Sequence, residues 1–290
     1  MRATLSERAE SARLALAGLE PGAWESRVLE ESPDGRAVVE YRCQARRIIG
    51  KFRADGGGGE GITLLRELSA RTPGVLRVPR PVAWFEATGA LLTEAAAGTP
   101  CRRLDVAQSP AALVRIGQAL AELHHVPLSW GAPRRMHHHI VELMRPSPEA
   151  LAAALPAHAA RIARALERLA ADEARWSTTL PVLLHRDFHL RQLFDDGTHI
   201  TVLDWDDAAF GDAAFDVGYF TTYLKTHHER AAAETGIAAF RDGYGGDDAL
   251  WSRVPVYERF NHLRRACRRF RLRDAGWERE LERMLARLDD

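Results

Sequence analysis

The spacing of apolar residues divides the chain into a strand-rich part and a helical part. Residues 5–18 and 62–71 repeat with a helical period and predict two amphipathic helices. Between and after them, alternating or β-branched patterns predict five strands, at residues 26–31, 36–44, 46–53, 82–85 and 90–93. The first two strands flank Ser-Pro-Asp-Gly at 32–35, which predicts a hairpin turn.

After residue 100 the helical period dominates. Ser109 is a suitable N-cap and Pro110 fits the first position of a helix, and a second helix is predicted over 157–176. Strand patterns return briefly at 182–184, 192–194 and 199–204, and helices follow to the C-terminus. We predict an α+β fold with a small antiparallel-sheet lobe over 1–95, a linker over 96–100 and a larger, mainly helical lobe over 101–290.

Composition places the chain among ordinary globular proteins, since 46% of its 290 residues are hydrophobic and 28% are charged. With 40 basic and 40 acidic residues, its net charge gives no general bias toward nucleic acid or anionic membranes. Its three cysteines are too few and scattered for a disulfide framework, and no signal peptide or membrane-spanning run is apparent. We therefore expect a cytoplasmic protein without a membrane segment.

One segment carries the spacing of a phosphoryl-transfer loop. His185-Arg186-Asp187 is followed, after four residues, by the amide Gln192, where the template has Asn. Phosphoryl transfer needs a carboxylate that orients and deprotonates the acceptor hydroxyl, a role that suits Asp187. It also needs hard oxygen ligands for magnesium, for which Gln192 and Asp204 are the candidates, with Asp206 assisting.

The distribution of cations supports the same chemistry. Only Lys51 and Lys225 are lysines, and the other 38 basic residues are arginines. Lys51 lies in a predicted strand 134 residues before His185, where the template places the lysine that binds the α- and β-phosphates. Glu67, on the next predicted helix, is the expected ion-pair partner. The wide guanidinium of arginine does not replace a compact ammonium at such a site.

With these residues in place, the chain over about 25–225 resembles the aminoglycoside phosphotransferase and choline kinase-like family, the small-molecule relatives of protein kinases. Leu91 to Glu94, followed by Gly98, resembles the interlobe linker of that family, and Leu203 to Asp206 resembles its metal-binding segment. The resemblance implies a two-lobed protein kinase-like fold, ATP or GTP with magnesium, and a hydroxyl acceptor. It also implies that the backbone around Glu94 and Ala96 holds the adenine.

Two departures from the family pattern bear on the substrate. Gln192 replaces the usual Asn, so its amide group lies one methylene further from the backbone. A Gln at this position resembles the sugar-kinase branches of the family. Arg186 stands where the family usually has Gly. The dozen residues between Asp204 and Asp216 leave no room for a long activation loop, which disfavours a protein substrate. We predict transfer to a hydroxyl of a sugar, amino sugar or aminoglycoside-like molecule.

Several residues have two interpretations. His189 either lines the acceptor pocket or packs within the loop, and Asp212 and Asp216 are favoured as helix-capping or loop-organising residues. The run His137 to His139 is favoured as solvated side chains over a metal site. The glycines at 56–59 are favoured as a flexible connection, and the 32–35 hairpin is the better candidate for covering the phosphates.

The segment Arg259–Arg273 holds seven arginines and no acid. A solvated face, paired with the acids of 274–290, is favoured over a site for an anionic substrate or partner. If this segment borders the active site, its positive charge disfavours polycationic aminoglycosides as acceptors. Two further function classes are a weakly active or inactive nucleotide-binding regulator and, less favoured, a nucleic-acid-binding protein. No motif specifies the acceptor or an oligomeric state.

Overall fold

The computed structural model describes residues 4–32, 35–53, 58–176 and 179–289. The chain divides into two compact units. The first comprises Met1–Cys101 and Leu193–Asp206, and the second comprises Arg102–Gln192 and Asp207–Asp290. The segment 193–206 therefore belongs to the first unit, although the division made from sequence order assigned it to the helical part.

The first unit is built around a five-stranded antiparallel sheet in the order β1-β2-β3-β6-β5. Its strands are β1 (Glu25–Glu31), β2 (Ala37–Cys43), β3 (Arg46–Phe52), β5 (Pro81–Phe85) and β6 (Ala90–Glu94). All five match the predicted strands to within two residues at each end, because their alternation is visible locally. In β3, Lys51 lies opposite Val38 of β2 and Leu91 of β6.

Two helices belong to this unit. Helix α1 (Leu5–Leu19) begins with a capping box between Thr4 and Glu7, and its buried Leu16 belongs to the same apolar core as the sheet residues Val39 and Ile48. Helix α2 (Gly59–Arg71) buries one apolar face. The predicted hairpin turn is closed by a hydrogen bond from the Gly35 amide to the Ser32 carbonyl, while its central positions 33 and 34 lie outside the described residues. Positions 56 and 57 of the glycine run also lie outside them.

A second, four-stranded sheet explains why residues 193–206 join the first unit. It contains β4 (Leu76–Arg77), β7 (Thr99–Pro100), β9 (Leu193–Asp195) and β10 (Ile200–Val202), in the order β4-β10-β9-β7. Strand β10 runs parallel to β4, and β9 pairs antiparallel with β7. Gly98 allows the close approach, since it has φ +86 and a Cβ added there would lie 2.3 Å from the Asp195 carbonyl oxygen.

The second unit is mainly helical. Its helices are α3 (Pro110–His125), α4 (Met136–Leu143), α5 (Pro148–Ala154), α6 (Ala159–Arg175), α7 (Ala214–His227), α8 (Arg230–Tyr244), α9 (Asp248–Leu272) and α10 (Trp277–Ala286). A short antiparallel pair, β8 (Val182–Leu184) and β11 (Ala209–Gly211), completes it. Pro110 occupies the first turn of α3 as predicted, whereas the Ser109 side chain makes no capping hydrogen bond. The predicted α+β class is confirmed.

Helices α3 and α8 approach closely through glycines. A Cβ added at Gly117 would lie 2.3 Å from the Phe240 carbonyl oxygen, and one added at Gly243 would lie 2.0 Å from that of Val114. The two backbones thus touch where a side chain would hold them apart. Of the helices within the described ranges, none combines the length and apolar character needed to cross a bilayer.

We expect Gly243→Ala to lower the free energy of unfolding by about 2–4 kcal/mol, because the new methyl group would push α8 away from α3. Gly18→Ala is the matched control, since Gly18 lies in α1 with no other group within 4 Å of the added Cβ. That change should raise stability by about 0.5–1 kcal/mol through helix propensity. Urea denaturation measures both, and equal effects of the two substitutions would contradict the packing argument.

Candidate active site

The buried carboxylate of Asp216, in the first turn of α7, anchors the loop that follows β8. Its two oxygens accept hydrogen bonds from the backbone amides of His185 and Arg186, each at 2.7 Å. His124 Nε2 lies 3.3 Å from the same carboxylate, and its Nδ1 lies 2.8 Å from the Tyr244 hydroxyl. Asp216 is therefore a loop-organising residue, one of the two roles expected for it. Arg186 has φ +66 within this anchored turn.

The anchored turn presents Asp187, whose side chain is half-buried. One carboxylate oxygen accepts a hydrogen bond from the Tyr219 hydroxyl at 2.6 Å. The other accepts one from the Gln192 amide nitrogen at 3.1 Å. The guanidinium of Arg264 lies 3.9 Å from the first oxygen. The hydrogen bonds from Tyr219 and Gln192 restrict the rotation of this carboxylate, which is what an acceptor-orienting group requires.

Gln192 thus directs its amide nitrogen toward Asp187. The atom through which this side chain could hold a cation is its amide oxygen, because the nitrogen is a donor only. This hydrogen bond joins two residues that lie five positions apart in the sequence, both in the second unit.

His189 lies beside the same carboxylate, with its Nε2 3.5 Å from the second oxygen of Asp187. Its ring stacks on Tyr219 with 5.8 Å between centroids and packs on Tyr223 at 5.0 Å. Burial lowers the pKa of His189, and the nearby Asp187 charge only partly offsets this. The structure therefore places the His189 ring beside Asp187 and packs it on two tyrosines of α7, while its role in an acceptor pocket stays a prediction.

Lys51, Asp204 and Asp206 form a second cluster, within the first unit. The Lys51 ammonium donates to Asp204 Oδ1 at 2.5 Å and lies 2.7 Å from Asp206 Oδ2. Arg53 also donates to Asp206, at 3.3 Å. Burial opposes the charge of Lys51, but the two carboxylates outweigh it and raise the pKa of the lysine. Asp204 has φ +61 and lies two residues after the end of β10.

The expected ion pair between Lys51 and Glu67 is not made. Glu67 accepts hydrogen bonds from Arg71, one turn further along α2, at 2.8 and 3.0 Å. An i,i+4 partner on the same helix is available to Glu67 without any tertiary movement, whereas Lys51 already has two carboxylates. Lys51 is positioned by Asp204 and Asp206 instead.

The two residues expected to lie against adenine are placed at the end of β6. Glu94 is the last residue of the strand, and its backbone amide donates to the Arg80 carbonyl at 2.8 Å. Its carboxylate lies 3.3 Å from Arg46. Ala96 lies two residues after the end of this strand and is half-buried.

The geometry fits a divalent cation in its donor chemistry. Asp204 and Asp206 come from one loop and already converge on a single positive charge, that of Lys51. Carboxylate oxygens of this kind are the ligands that magnesium prefers. No group of three or more His, Cys, Asp or Glu side chains arranged for a metal occurs among residues 4–32, 35–53, 58–176 and 179–289.

Arg186, the unusual residue of the loop, has a structural partner. Its buried guanidinium lies 2.7 Å from Glu142 of α4, and Arg134 lies 2.8 Å from the same residue. Burial lowers the pKa of Arg186, and the Glu142 carboxylate opposes that change. Arg186 therefore ties the loop after β8 to α4, a short helix that the sequence did not predict.

Other expectations have mixed outcomes. Asp212 accepts two hydrogen bonds from Arg253 and one from the Ala214 amide, as a helix-start and loop-organising residue does. The expectation of solvated histidines is wrong for His139, which is fully buried and packs on Phe215 with 4.3 Å between ring centroids. Successive residues of a helix point in different directions. His139 therefore faces the core, whereas positions 137 and 138 do not.

Tyr219 and Arg264 are site residues that sequence reasoning missed. Tyr219 follows Asp216 by three residues on α7, so its place on the loop-facing side of a helix was the available signal. Arg264 lies in the arginine-rich stretch of α9, and its guanidinium donates to the Arg186 carbonyl at 3.2 Å and covers the Tyr219 ring at 5.1 Å. The stretch thus borders Asp187, and nothing local distinguishes Arg264 from its neighbours.

Comparisons with known proteins identify the family and the fold of the chain. Residues 22–257 match the model of the phosphotransferase enzyme family, APH. A search of curated proteins gives no match. A choline/ethanolamine kinase family protein from Mesorhizobium loti has a TM-score of 0.69 and 18% identity, over 97% of this chain and 94% of that one. Aminoglycoside phosphotransferase APH(4)-Ia has a TM-score of 0.67 and 16% identity, over 97% of both chains.

A third similar structure is amicoumacin kinase hAmiN in complex with AMP-PNP, Ca2+ and Ami, with a TM-score of 0.68 and 16% identity. The match covers 99% of this chain and 95% of that one. At these identities the structures establish a shared protein kinase-like fold. The chain belongs to the phosphotransferase enzyme family, and it is a small-molecule phosphotransferase.

We expect Asp216→Asn to release the loop after β8, because one amide group cannot accept hydrogen bonds from both backbone amides with the same strength. Stability should fall by about 2–4 kcal/mol, and hydrogen exchange at the amides of His185 and Arg186 should accelerate. Tyr244→Phe is the control, since it removes only the hydroxyl group beyond His124. Unchanged protection of both amides in Asp216→Asn would contradict the assigned role.

Proposed function

We propose that this protein transfers the γ-phosphoryl group of ATP, in the presence of magnesium, to a hydroxyl group of a small molecule. The observation that carries the proposal is the setting of Asp187, a half-buried carboxylate fixed by Tyr219 and Gln192 at the end of an anchored loop. The family match supports phosphotransfer in general, and the AMP-PNP complex of the similar kinase hAmiN supports a nucleotide donor.

In the proposed mechanism, Asp187 orients the acceptor hydroxyl and accepts its proton as the oxygen attacks phosphorus. The bond between the γ-phosphorus and the β-phosphate oxygen breaks, and ADP leaves. The hydrogen bonds from Tyr219 and Gln192 hold the carboxylate in one rotamer, so the proton acceptor is positioned before the substrate arrives.

The proposal assigns nucleotide binding to residues of the first unit. Lys51 holds the α- and β-phosphates, positioned by Asp204 and Asp206 rather than by Glu67, and the backbone near Glu94 and Ala96 holds the base. Magnesium, when bound, neutralises phosphate charge and polarises the transferred group. Asp204 and Asp206, the two carboxylates of this unit that converge on Lys51, would hold it.

The regulatory alternative assumes that Gln192 marks the loss of activity. Its hydrogen bond to Asp187 favours an enzyme instead, because the side chain positions the reacting carboxylate. The nucleic-acid alternative needs a row of free cations, but Arg259, Arg264 and Arg269 all face carboxylates within 4 Å. Two of these carboxylates, Asp172 and Asp187, come from outside α9 and the C-terminal segment.

Asp187→Asn should lower kcat by about 10²–10⁴-fold, because the variant cannot accept the hydroxyl proton. Nucleotide affinity should stay within twofold, since the proposal assigns the phosphates to Lys51 and only the acceptor hydroxyl to Asp187. Coupled detection of ADP release and a fluorescent-nucleotide titration provide the two measurements. Asp242→Asn, an exposed acid on α8, is the control and should keep full activity. An Asp187→Asn enzyme with normal turnover would refute the assignment.

Lys51→Arg should lower kcat/KM for ATP at least tenfold, even in a chain that otherwise uses arginine, because the planar guanidinium does not fit a compact ammonium site. Lys225→Arg is a matched control. Lys225 donates to Glu258 at 2.6 and 2.7 Å at an exposed position, and arginine can make the same ion pair. Steady-state kinetics with ATP as the varied substrate measure both, and equal behaviour of the two variants would remove Lys51 from the phosphate site.

A further inference from the structure

Alternation along β3 places a second cation on the same face of the sheet as Lys51. Ile48 and Phe52 are fully buried in the apolar core that α1 shares with the sheet, so the odd-numbered positions of the strand face the opposite side. Arg53 follows the last residue of β3, and its amide donates to the Gly89 carbonyl at 3.1 Å, which continues the pairing of β3 with β6. Lys51 and Arg53 therefore project from one face of the sheet.

Tertiary hydrogen bonds fix the backbone of Arg53. Its carbonyl accepts a hydrogen bond from the guanidinium of Arg8 in α1 at 2.7 Å, and Arg8 also donates to the Thr88 carbonyl at 2.8 Å. Arg8 thus ties the end of β3 to the turn between β5 and β6. The point from which the Arg53 side chain extends is therefore set by the fold, before any ligand binds.

The Arg53 side chain reaches the carboxylate that Lys51 also contacts. Its guanidinium donates to Asp206 Oδ2 at 3.3 Å, and the Lys51 ammonium lies 2.7 Å from the same oxygen. Together with Asp204, which accepts from Lys51, these side chains form what we call the ion-pair cluster, with two positive and two negative charges. Each of the four keeps between 27% and 40% of its side-chain surface exposed, so the cluster is accessible to a ligand from solvent.

The order of residues along β3 matches the order of groups in a nucleotide bound as proposed above. The amide of Ala95, between the two residues assigned to the base, donates to the Arg47 carbonyl at 3.1 Å. Lys51, assigned to the α- and β-phosphates, lies four residues further along the chain, and Arg53 lies two residues beyond it. Since a strand advances about 3.3 Å per residue, Arg53 lies at the end farthest from the base, where the γ-phosphate belongs.

Charge gives an exchange of partners a physical reason. In the free protein, Asp204 and Asp206 neutralise the two cations of the ion-pair cluster. The triphosphate of ATP offers oxyanions with which a guanidinium forms two parallel hydrogen bonds, a geometry that a compact ammonium cannot reproduce. When Arg53 binds such an oxyanion, the Asp206 carboxylate becomes available as a ligand of a divalent cation. Both members of the original ion pair then keep a partner of opposite charge.

We propose that Arg53 is a nucleotide-binding residue that exchanges Asp206 for the γ-phosphate of ATP. This inference rests on the proposed function and adds a residue that the sequence did not predict. Without nucleotide, Arg53 competes with a divalent cation for Asp206 and weakens metal binding. With nucleotide, Arg53 binds the phosphate and strengthens the complex. A residue with a purely structural role would shift both affinities in the same direction.

The first measurement follows nucleotide binding in magnesium. Isothermal titration calorimetry with AMP-PNP, ADP and AMP gives Kd for the full chain without turnover. Arg53→Gln should weaken AMP-PNP binding at least tenfold and AMP binding less than twofold, because AMP has only the α-phosphate. Arg53→Lys keeps the charge but loses the guanidinium fork, and should restore part of the loss. Arg71→Gln, an exposed arginine of α2 that pairs with Glu67, is the matched control and should bind as the wild type does.

The second measurement uses Mn²⁺ without nucleotide, because manganese suits the same oxygen ligands as magnesium and its free ion is quantified by electron paramagnetic resonance. Arg53→Gln should tighten Mn²⁺ binding at least threefold, since a competitor for Asp206 is gone. Asp206→Asn should weaken Mn²⁺ binding with either residue at position 53, which assigns the signal to this cluster. Unchanged or weaker Mn²⁺ binding in Arg53→Gln, or an equal loss of affinity for AMP-PNP and AMP, would overturn the inference.

Failure of this inference is distinguishable from failure of the proposed function. If the wild-type chain binds AMP-PNP and Arg53→Gln behaves as Arg71→Gln does, only the inference falls. If the wild-type chain binds no nucleotide in magnesium, the proposed function falls with it. Should Arg53→Gln not fold, as judged by thermal unfolding, Arg53→Lys takes its place. An AMP-PNP affinity of Arg53→Lys equal to that of the wild type would then overturn the inference.

Discussion

The buried carboxylate of Asp216 is the constraint on which the candidate site depends. A fully buried charge is tolerated only where several donors surround it, and Asp216 takes the amides of the two residues that precede Asp187. That requirement fixes the direction of the loop and holds Arg186 at a positive φ. Asp187 is then presented to Tyr219 of the same helix, so one helix both anchors the loop and positions its reactive group.

Charge neutrality of the chain conceals a strong local separation of charge. Residues 185–216 contain eight aspartates and two arginines, whereas Arg259–Arg273 contains seven arginines and no acid. Folding brings part of the arginine stretch back to the aspartates, because α9 packs against α7 and places Arg264 beside Asp187. The two lysines are also accounted for, since Lys51 lies between two aspartates and Lys225 pairs with Glu258.

Long helices and strands could be predicted from the sequence, whereas the shortest ones could not. The five strands of the main sheet and the long helices α3 and α6 repeat their pattern often enough to be visible locally. Helices α4 and α5, of eight and seven residues, and the two-residue strands β4 and β7 do not. Their formation depends on partners distant in sequence, as β4 does on β10.

The sequence by itself identified the candidate residues, because the spacing from His185 to Gln192 and the rarity of lysine are properties of the chain alone. The tertiary structure decided which of them meet. In the folded chain, Lys51 pairs with Asp204 and Asp206, and Glu67 pairs with Arg71 instead. Tyr219 and Arg264 lie beside Asp187. Local spacing encodes residue type and order, whereas ion pairs are selected by three-dimensional distance, burial and competition among neighbouring charges.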